Sequence, residues 1–189
     1  DPVVTLTLIT AVLLAIVRKS RIPSFIGLGL IVCYLLFGLT QRNQVEQAAY
    51  ALADGRGHSI EKIEVKPSMG NLLLWRSVYL SNGSYYIDAI RAGMFTEIKV
   101  YPGGEVTAFD ISVTFPDLQP DSVLYKDIQR FNTYSSGFLV LHPDQPAVIG
   151  DIRYAMLPNA LQPLWGIETD FKQPEKHVIY KDIRVINED

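Results

Sequence analysis

The chain has 189 residues, of which 48% are hydrophobic and 20% charged, and its formal net charge is -3 at pH 7. That length suits one ordinary domain plus an accessory segment, with enough apolar residues to bury a core. The charge balance, without a Lys/Arg-rich stripe, argues against nucleic acid as a partner. The single cysteine, Cys33, excludes an internal disulfide and a zinc site built from cysteines.

Two uncharged apolar segments open the chain, Pro2 to Val17 and Ile22 to Thr40. At about 1.5 Å per residue, the first reaches roughly 24 Å and the second nearly spans the ~30 Å hydrocarbon core of a bilayer. Soluble helices seldom stay apolar on all sides for this length, which favours two membrane-spanning helices over a buried helical hairpin. The first segment lacks the positively charged region of a secretory signal, and we interpret the chain as the C-terminal part of a longer protein.

Positive charge is concentrated in the short loop between the two segments, at Arg18, Lys19 and Arg21. Positively charged loops tend to stay on the cytoplasmic side of a membrane. This asymmetry predicts that the part of the chain after Thr40 lies on the outer face.

Good helix formers continue beyond the second apolar segment, from Gln41 to about Asp54. Gly55 and Gly57 then provide the stop that helix C-termini favour. The sequence therefore predicts a membrane unit over residues 1–58, in which the second helix extends beyond the membrane.

From about Ile60, short β-prone runs alternate with turn sequences. Asn82-Gly83 predicts a type I′ hairpin, since both central residues of that turn need a positive φ. Three weaker turns are predicted at YPGGE, HPDQP and KQPEK. The predicted strands are KIEVKP, LLLWRSVYL, SYYIDAI, EIKVY, EVTAFDISVTF, GFLVLH, AVIGDIRYAM, LWGIETDF and HVIYKDIRVI.

One segment, DSVLYKDIQRF, has the pattern of an amphipathic helix. Asp121 is its predicted N-cap, and Leu124, Ile128 and Phe131 share one face. We expect this helix to pack over the sheet. Residues 59–189 are therefore predicted to form one extramembrane α+β domain with a mainly antiparallel sheet.

The three histidines, His58, His142 and His177, do not show the clustering that is typical of metal sites. Each lies beside glycines or a predicted turn, so we interpret all three as structural residues in solvated positions. The sequence also lacks a G-x-S-x-G nucleophile elbow and a glycine-rich loop that opens a helix. Acyl-enzyme chemistry and nucleotide binding are therefore not indicated.

The remaining candidates for chemistry are Arg76, Asp151, Arg153 and Asp1. Asp151 and Arg153 share one face of a predicted strand, where they could orient a substrate carboxylate or phosphate, or form an ion pair with each other. Arg76 points to the face opposite Trp75, which we expect to anchor the core. Asp1 lies at the membrane edge of the first segment, where an ionisable group is costly and often functional, unless it is solvated as a chain end.

Five stretches, DPVVT, NLLLWR, SNGSYY, GDIRYAMLPN and PLWGIE, resemble the C-terminal half of the YdjM-like membrane-bound metal-dependent hydrolases. That family is also described as inner-membrane-associated, LexA-binding hydrolases. The resemblance runs in the same order over nearly the whole chain, although Leu72 stands where the family commonly has proline. The matching residues of the extramembrane domain, whose chemical roles do not follow automatically, are Asn71, Trp75, Arg76, Asp151, Arg153, Tyr154, Trp165 and Gly166.

The resemblance implies a bacterial inner-membrane protein that carries out hydrolysis with a divalent metal, zinc or manganese. The location at a membrane surface would suit a small-molecule or lipid-like substrate. It also implies that the metal ligands lie mainly in an N-terminal membrane half, around a Thr-His-Ser type of motif that this sequence does not contain. Asp1 is the one ligand that carries over. The expected partners are membrane lipid and, in addition, a protein. The alternative is a non-catalytic, membrane-anchored interaction module that presents Tyr85 and Tyr86 to a partner.

Overall fold

The computed structural model of the protein describes residues 1–93 and 97–183. These residues form an α+β fold of four helices and two four-stranded antiparallel sheets. In chain order the elements are α1 (Pro2–Arg18), α2 (Ile22–Gly55), β1 (Lys62–Pro67), β2 (Leu74–Ser81), β3 (Ser84–Arg91), β4 (Lys99–Thr107), α3 (Ile111–Thr114), α4 (Val123–Tyr134), β5 (Leu139–His142), β6 (Gln145–Asp151), β7 (Trp165–Glu168) and β8 (Ile179–Asp182).

The two N-terminal helices form an antiparallel hairpin, in which Gly27 of α2 lies against Ala11 of α1. A Cβ atom on Gly27 would lie 2.5 Å from the Cβ of Ala11, so this approach depends on glycine. Among the described helices, α2 alone is long and apolar enough to cross a membrane. The apolar α1 has 17 residues, about 26 Å at 1.5 Å each, and falls short of that length. Two spanning helices were predicted, but only one of the described helices qualifies as a candidate membrane span.

The second helix is continuous from the apolar segment into the part that packs on the first sheet and ends at Gly55, followed by Gly57 at φ 73°. The predicted helical extension and its glycine stop are thus confirmed. Beyond the apolar segment, every fourth residue of α2 is buried, which is the spacing of one helical face. These residues are Gln41, Val45, Ala49 and Ala53.

Strands β1 to β4 form the first sheet as a simple meander. Asn82 and Gly83 have φ values of 49° and 75°, which confirms the predicted hairpin between β2 and β3. The predicted turn at YPGGE is wrong, because β4 runs through it with a register shift opposite Ile87 and Asp88. The glycine there serves a close approach: a Cβ on Gly103 would lie 2.5 Å from the backbone oxygen of Asn159.

Strands β5 to β8 form the second sheet, also a meander. The predicted turns at HPDQP and KQPEK are confirmed as the connections after β5 and after β7. A single bridge between Ala108 and Val140 connects the second sheet to the chain that leaves β4. Residues 184–189, which include the end of the last predicted strand, lie outside the described residues.

Two predictions between the sheets need correction. The run EVTAFDISVTF was predicted as one strand, but it contains the end of β4 and the short helix α3. Asp110 redirects the chain, since its side chain accepts from the Ser112 N–H at 2.8 Å and caps that helix. The amphipathic helix α4 is confirmed, but its N-cap is Ser122, whose hydroxyl accepts from the Tyr125 N–H, and not Asp121.

Three apolar clusters define the order of layers as α2, the first sheet, the second sheet and α4. The cluster between α2 and the first sheet contains Val45, Ala49, Val65, Trp75, Ile90 and Ala92. The cluster between the two sheets contains Val78, Tyr85, Ile87, Phe138, Val140 and Ile152. The cluster between the second sheet and α4 contains Leu124, Ile128, Phe131, Leu139, Ile149 and Ile167.

Candidate functional site

Arg76 extends from β2 toward the second sheet and is only 5% exposed. Its Nε and Nη2 atoms donate to the Ile152 carbonyl at 3.1 and 2.8 Å, and Nη1 donates to the Pro158 and Ala160 carbonyls, both at 2.9 Å. Burial lowers the pKa of Arg76 to about 10, against the opposing charge of Asp151. The guanidinium therefore binds the loop 152–160 to the first sheet.

Asp151 and Arg153 form a charge-neutralising ion pair. The fully buried Asp151 accepts from Arg153 Nε at 2.9 Å and from Nη2 at 2.7 Å. Arg153 also donates to the Tyr134 carbonyl and the Ser136 hydroxyl, and the hydrogen bond to Asp151 raises its pKa. The sequence left open whether these two residues orient a substrate anion or pair with each other. Their geometry is that of an internal ion pair. A substrate anion would have to compete with Asp151 for Arg153.

Asp1 uses both carboxylate oxygens within the helical hairpin. Oδ1 accepts from the Val3 N–H at 2.8 Å, and Oδ2 accepts from the Tyr34 hydroxyl at 2.6 Å. Within residues 1–93 and 97–183, no group of three or more His, Cys, Asp or Glu side chains could hold a metal ion. Catalytic zinc sites usually use three protein ligands, so these residues alone do not fit the expected metal.

His142 lies in a different environment from the one predicted. It closes β5 and is only 4% exposed, so the prediction of a solvated histidine is wrong. The Asp144 N–H donates to Nδ1 at 3.1 Å, which places the neutral ring's proton on Nε2, a buried atom that has no hydrogen-bond partner among the described residues. Burial lowers the pKa of His142, partly opposed by the charge of Asp144. Because Nδ1 accepts from the Asp144 N–H, Nε2 is the donor atom of the ring.

A cleft of about 680 Å³ lies beside His142. The other residues that line it come from the β5–β6 turn, the loop before β7 and the end of β8. The polar members are Asp144, Gln145, Gln162, Lys181 and Asp182. Sequence reasoning missed this cleft because its walls come from three segments that are separate in the sequence. A histidine at the end of a predicted strand was the one available signal.

A second polar cluster, also missed, joins the end of α2 to the first sheet. Arg56 donates to both oxygens of Asp88, at 2.7 and 2.9 Å, and to the Tyr79 hydroxyl at 3.1 Å. Nδ1 of His58 lies 2.9 Å from the same hydroxyl, and the ring of His58 packs on Tyr86. Asp88 is 1% exposed, so it needs this cation, and the hydrogen bond to Asp88 raises the pKa of Arg56.

The tyrosines of the interaction-module hypothesis are not both at the surface. Tyr85 is buried and donates from its hydroxyl to the Gly137 carbonyl at 2.6 Å, and its pKa is raised to about 12 by burial. Tyr86 is half-buried against His58. Tyr85 therefore belongs to the core between the sheets. The third histidine, His177, lies 2.8 Å from Asp127 of α4 through its Nδ1.

These contacts also orient the first sheet relative to α2. Leu72 lies against Gly38 in the apolar half of the helix, while Tyr79 binds Arg56 just beyond its end. The strand β2 therefore runs in the same direction as α2. The β1–β2 loop is the near end of the sheet, closest to the apolar segment, and the β2–β3 hairpin is its far end.

Comparison of the chain with protein-family models, with curated proteins and with solved structures finds no match.

Proposed function

We propose that this chain is the C-terminal part of a membrane-associated, metal-dependent hydrolase of the YdjM-like type, in which the extramembrane domain shapes a site at the membrane surface. In this proposal α1 and α2 both span a bacterial inner membrane, and the domain lies on its outer face. A zinc or manganese ion is bound mainly by residues outside this chain. The substrate is a small molecule with a lipid-like component, as the location would suit.

The observation that carries the proposal is the continuity of α2. One helix of 34 residues contains the apolar segment and also the face that packs under the first sheet. A sheet bound to a spanning helix without a flexible linker keeps a fixed height above the bilayer. That arrangement suits a wall or cap of a membrane-surface site better than a freely tethered domain.

The position of Asp1 supports the same arrangement. It begins α1 at the end of the hairpin that faces the domain, since Pro2 lies next to Gly70 of the β1–β2 loop. A metal held near Asp1 would therefore lie directly below the near end of the first sheet. The substrate would then reach the metal between the sheet and the bilayer.

The test is the metal content of two purified proteins, the full-length protein and residues 1–189. We expect bound zinc or manganese in the full-length protein and none in the shorter chain. Asp1→Asn in the full-length protein should lower metal occupancy, while helix capping persists because Asn caps as well as Asp. Stoichiometric metal in residues 1–189, or a metal-free full-length protein, would contradict the proposal.

A second candidate is a non-catalytic, membrane-anchored binding module, and the cleft beside His142 favours it. The cleft brings the carboxylate of Asp144, the amide of Gln145 and the ammonium of Lys181 around one space, which is suited to a small polar ligand. A full-length protein that binds no metal would favour this candidate over the hydrolase. Its ligand binding should then be weakened by Lys181→Met, which removes the ammonium group and retains the length of the side chain.

A further inference from the structure

The β1–β2 loop, residues 68–73, exposes large apolar side chains although its backbone is well organised. Met69 is 96% exposed and Leu73 is 46% exposed. Asn71 holds the loop by accepting from the N–H groups of Leu73 and Leu74 at 3.0 and 2.8 Å, and Gly70 provides a φ of 76°. The loop therefore presents Met69 and Leu73 in a defined geometry.

The same loop touches both helices of the hairpin. A Cβ on Gly38 would lie 3.1 Å from Leu72 Cδ1, so the leucine already packs closely on α2. A Cβ on Gly70 would lie 3.8 Å from Pro2, the first residue of α1. Trp75 reinforces the position by donating from its indole N–H to the Leu72 carbonyl at 2.8 Å.

The rise per residue of α2 gives the height of the contact between Leu72 and Gly38. From Ile22 to Gly38 the helix rises about 24 Å at 1.5 Å per residue, which is still within the ~30 Å hydrocarbon core. Leu72 therefore meets α2 near the hydrocarbon boundary. Met69 and Leu73 lie within three residues of Leu72 in the same loop, so we place their exposed side chains close to this boundary.

We infer that the β1–β2 loop inserts into the boundary between headgroups and acyl chains, with Met69 and Leu73 as its lipid-facing residues. This inference rests on the proposed membrane span of α2. The flexible thioether side chain of Met69 and the branched side chain of Leu73 then contact lipid instead of water. The loop is an attachment of the domain that is separate from the two helices.

Basic residues accompany the apolar loop at the near end of the sheet. Arg42 follows the apolar segment of α2 directly, and Arg91 pairs in register with Lys99 at the ends of β3 and β4. All three are exposed, and Glu97 is an acidic residue in the same region. Anionic lipid headgroups are the chemistry that this surface fits.

The attachment restricts how the domain can move. A domain held by one helix can rotate about that helix, whereas a second contact away from its axis prevents this rotation. The inserted loop would keep the first sheet at a constant angle to the bilayer. Any site beneath the near end of the sheet would then keep its shape.

The test uses single cysteines in a Cys33→Ser background, each labelled with an environment-sensitive fluorophore, in vesicles of phosphatidylcholine and phosphatidylglycerol. The labelled positions are Leu36→Cys in the apolar segment, Met69→Cys in the loop and Val113→Cys in α3. Val113 is the matched control, because it is 78% exposed and follows the strand end next to the far hairpin. Doxyl-labelled lipids and aqueous iodide serve as quenchers.

We expect the labels at positions 36 and 69 to lose fluorescence to doxyl lipid and to resist iodide, and the label at position 113 to show the reverse. A label at 69 that behaves like the one at 113, while 36 is quenched by lipid, would overturn the loop insertion and leave the span of α2 intact. A label at 36 that is quenched by iodide would overturn the span and the insertion together.

Discussion

The two halves of α2 belong to one helix, but apolar side chains are exposed in the first half and buried in the second. In the half from Ile22 to Thr40, large apolar side chains such as Phe25 and Leu36 are exposed, and Gly27 is the buried residue. In the half from Gln41 to Gly55 the sequence is more polar, yet a complete face is covered by the first sheet.

This difference shows that the two halves have different surroundings. A helix in water buries its apolar face and leaves its polar face exposed, as the second half does. The first half is apolar on all sides and would be poorly solvated by water, which is the pattern of a helix in lipid. In the proposed arrangement the helix would pass from lipid to water close to Gln41, where the domain begins to cover it.

The largest expected effect comes from breaking the packed half. Ala49→Asp places a charge in the cluster between α2 and the first sheet, and an unpaired buried charge should cost roughly 3–5 kcal/mol of unfolding free energy. The measurement is thermal unfolding in detergent, followed by the fluorescence of Trp75 and Trp165.

The control for this change is Ala51→Asp, on the exposed side of the same helix. It carries the same helix-propensity cost, about 0.7 kcal/mol at most, without burying the charge. Equal destabilisation by the two substitutions would show that the sheet does not pack on α2 as described.

A smaller loss of stability is expected from a substitution on the other face of the first sheet. Arg76→Lys keeps the positive charge but cannot reach the Ile152, Pro158 and Ala160 carbonyls together, so we expect a loss of about 2–3 kcal/mol in stability. Thermal unfolding measures the loss, and Arg91→Lys on the exposed end of β3 should change stability little. Hydrolytic activity lost without any loss of stability would instead indicate a catalytic role for Arg76.

The smallest effect is expected in the apolar half. Gly27→Ile would overpack the contact with Ala11, at about 1–3 kcal/mol, whereas a Cβ on Gly29 would meet no neighbouring atom within 4 Å, so Gly29→Ile should be accepted freely. Spin labels at Val12→Cys and Ile26→Cys, in a Cys33→Ser background, would report the spacing of α1 and α2. We expect a longer distance with Gly27→Ile alone. Equal spacing in both variants would contradict the glycine-dependent crossing.

Local chemistry made several elements predictable. The Asn82-Gly83 turn was correct because only a few residues tolerate positive φ at both positions. The apolar face of α4 was predicted correctly because apolar residues three and four positions apart lie on one side of a helix, and this spacing is not that of a strand. The same local reasoning placed Trp75 in the core and Arg76 on the opposite face, since side chains alternate along a strand.

The errors occurred where distant parts of the chain decide. The glycines of YPGGE favour a turn locally, but in β4 Gly103 makes room for the backbone of Asn159 and Gly104 lies against the Leu161 side chain, both far along the chain. His142 was expected in solvent because a proline follows it, but the second sheet and its loops bury it. Local propensity contains no information about either neighbour.

The candidate site shows the same division. The sequence by itself determined that Asp151 and Arg153 lie close together, that the first half of α2 is apolar on all sides and that Asp1 precedes the first apolar helix. Only the tertiary structure decided that Arg76 binds carbonyls, that Arg56 neutralises Asp88 and that Leu72 of the β1–β2 loop packs against Gly38 of α2. The reason is physical: hydropathy and backbone preference act between neighbouring residues, whereas the partner of a buried charge and the level of a loop depend on how helices and sheets pack together.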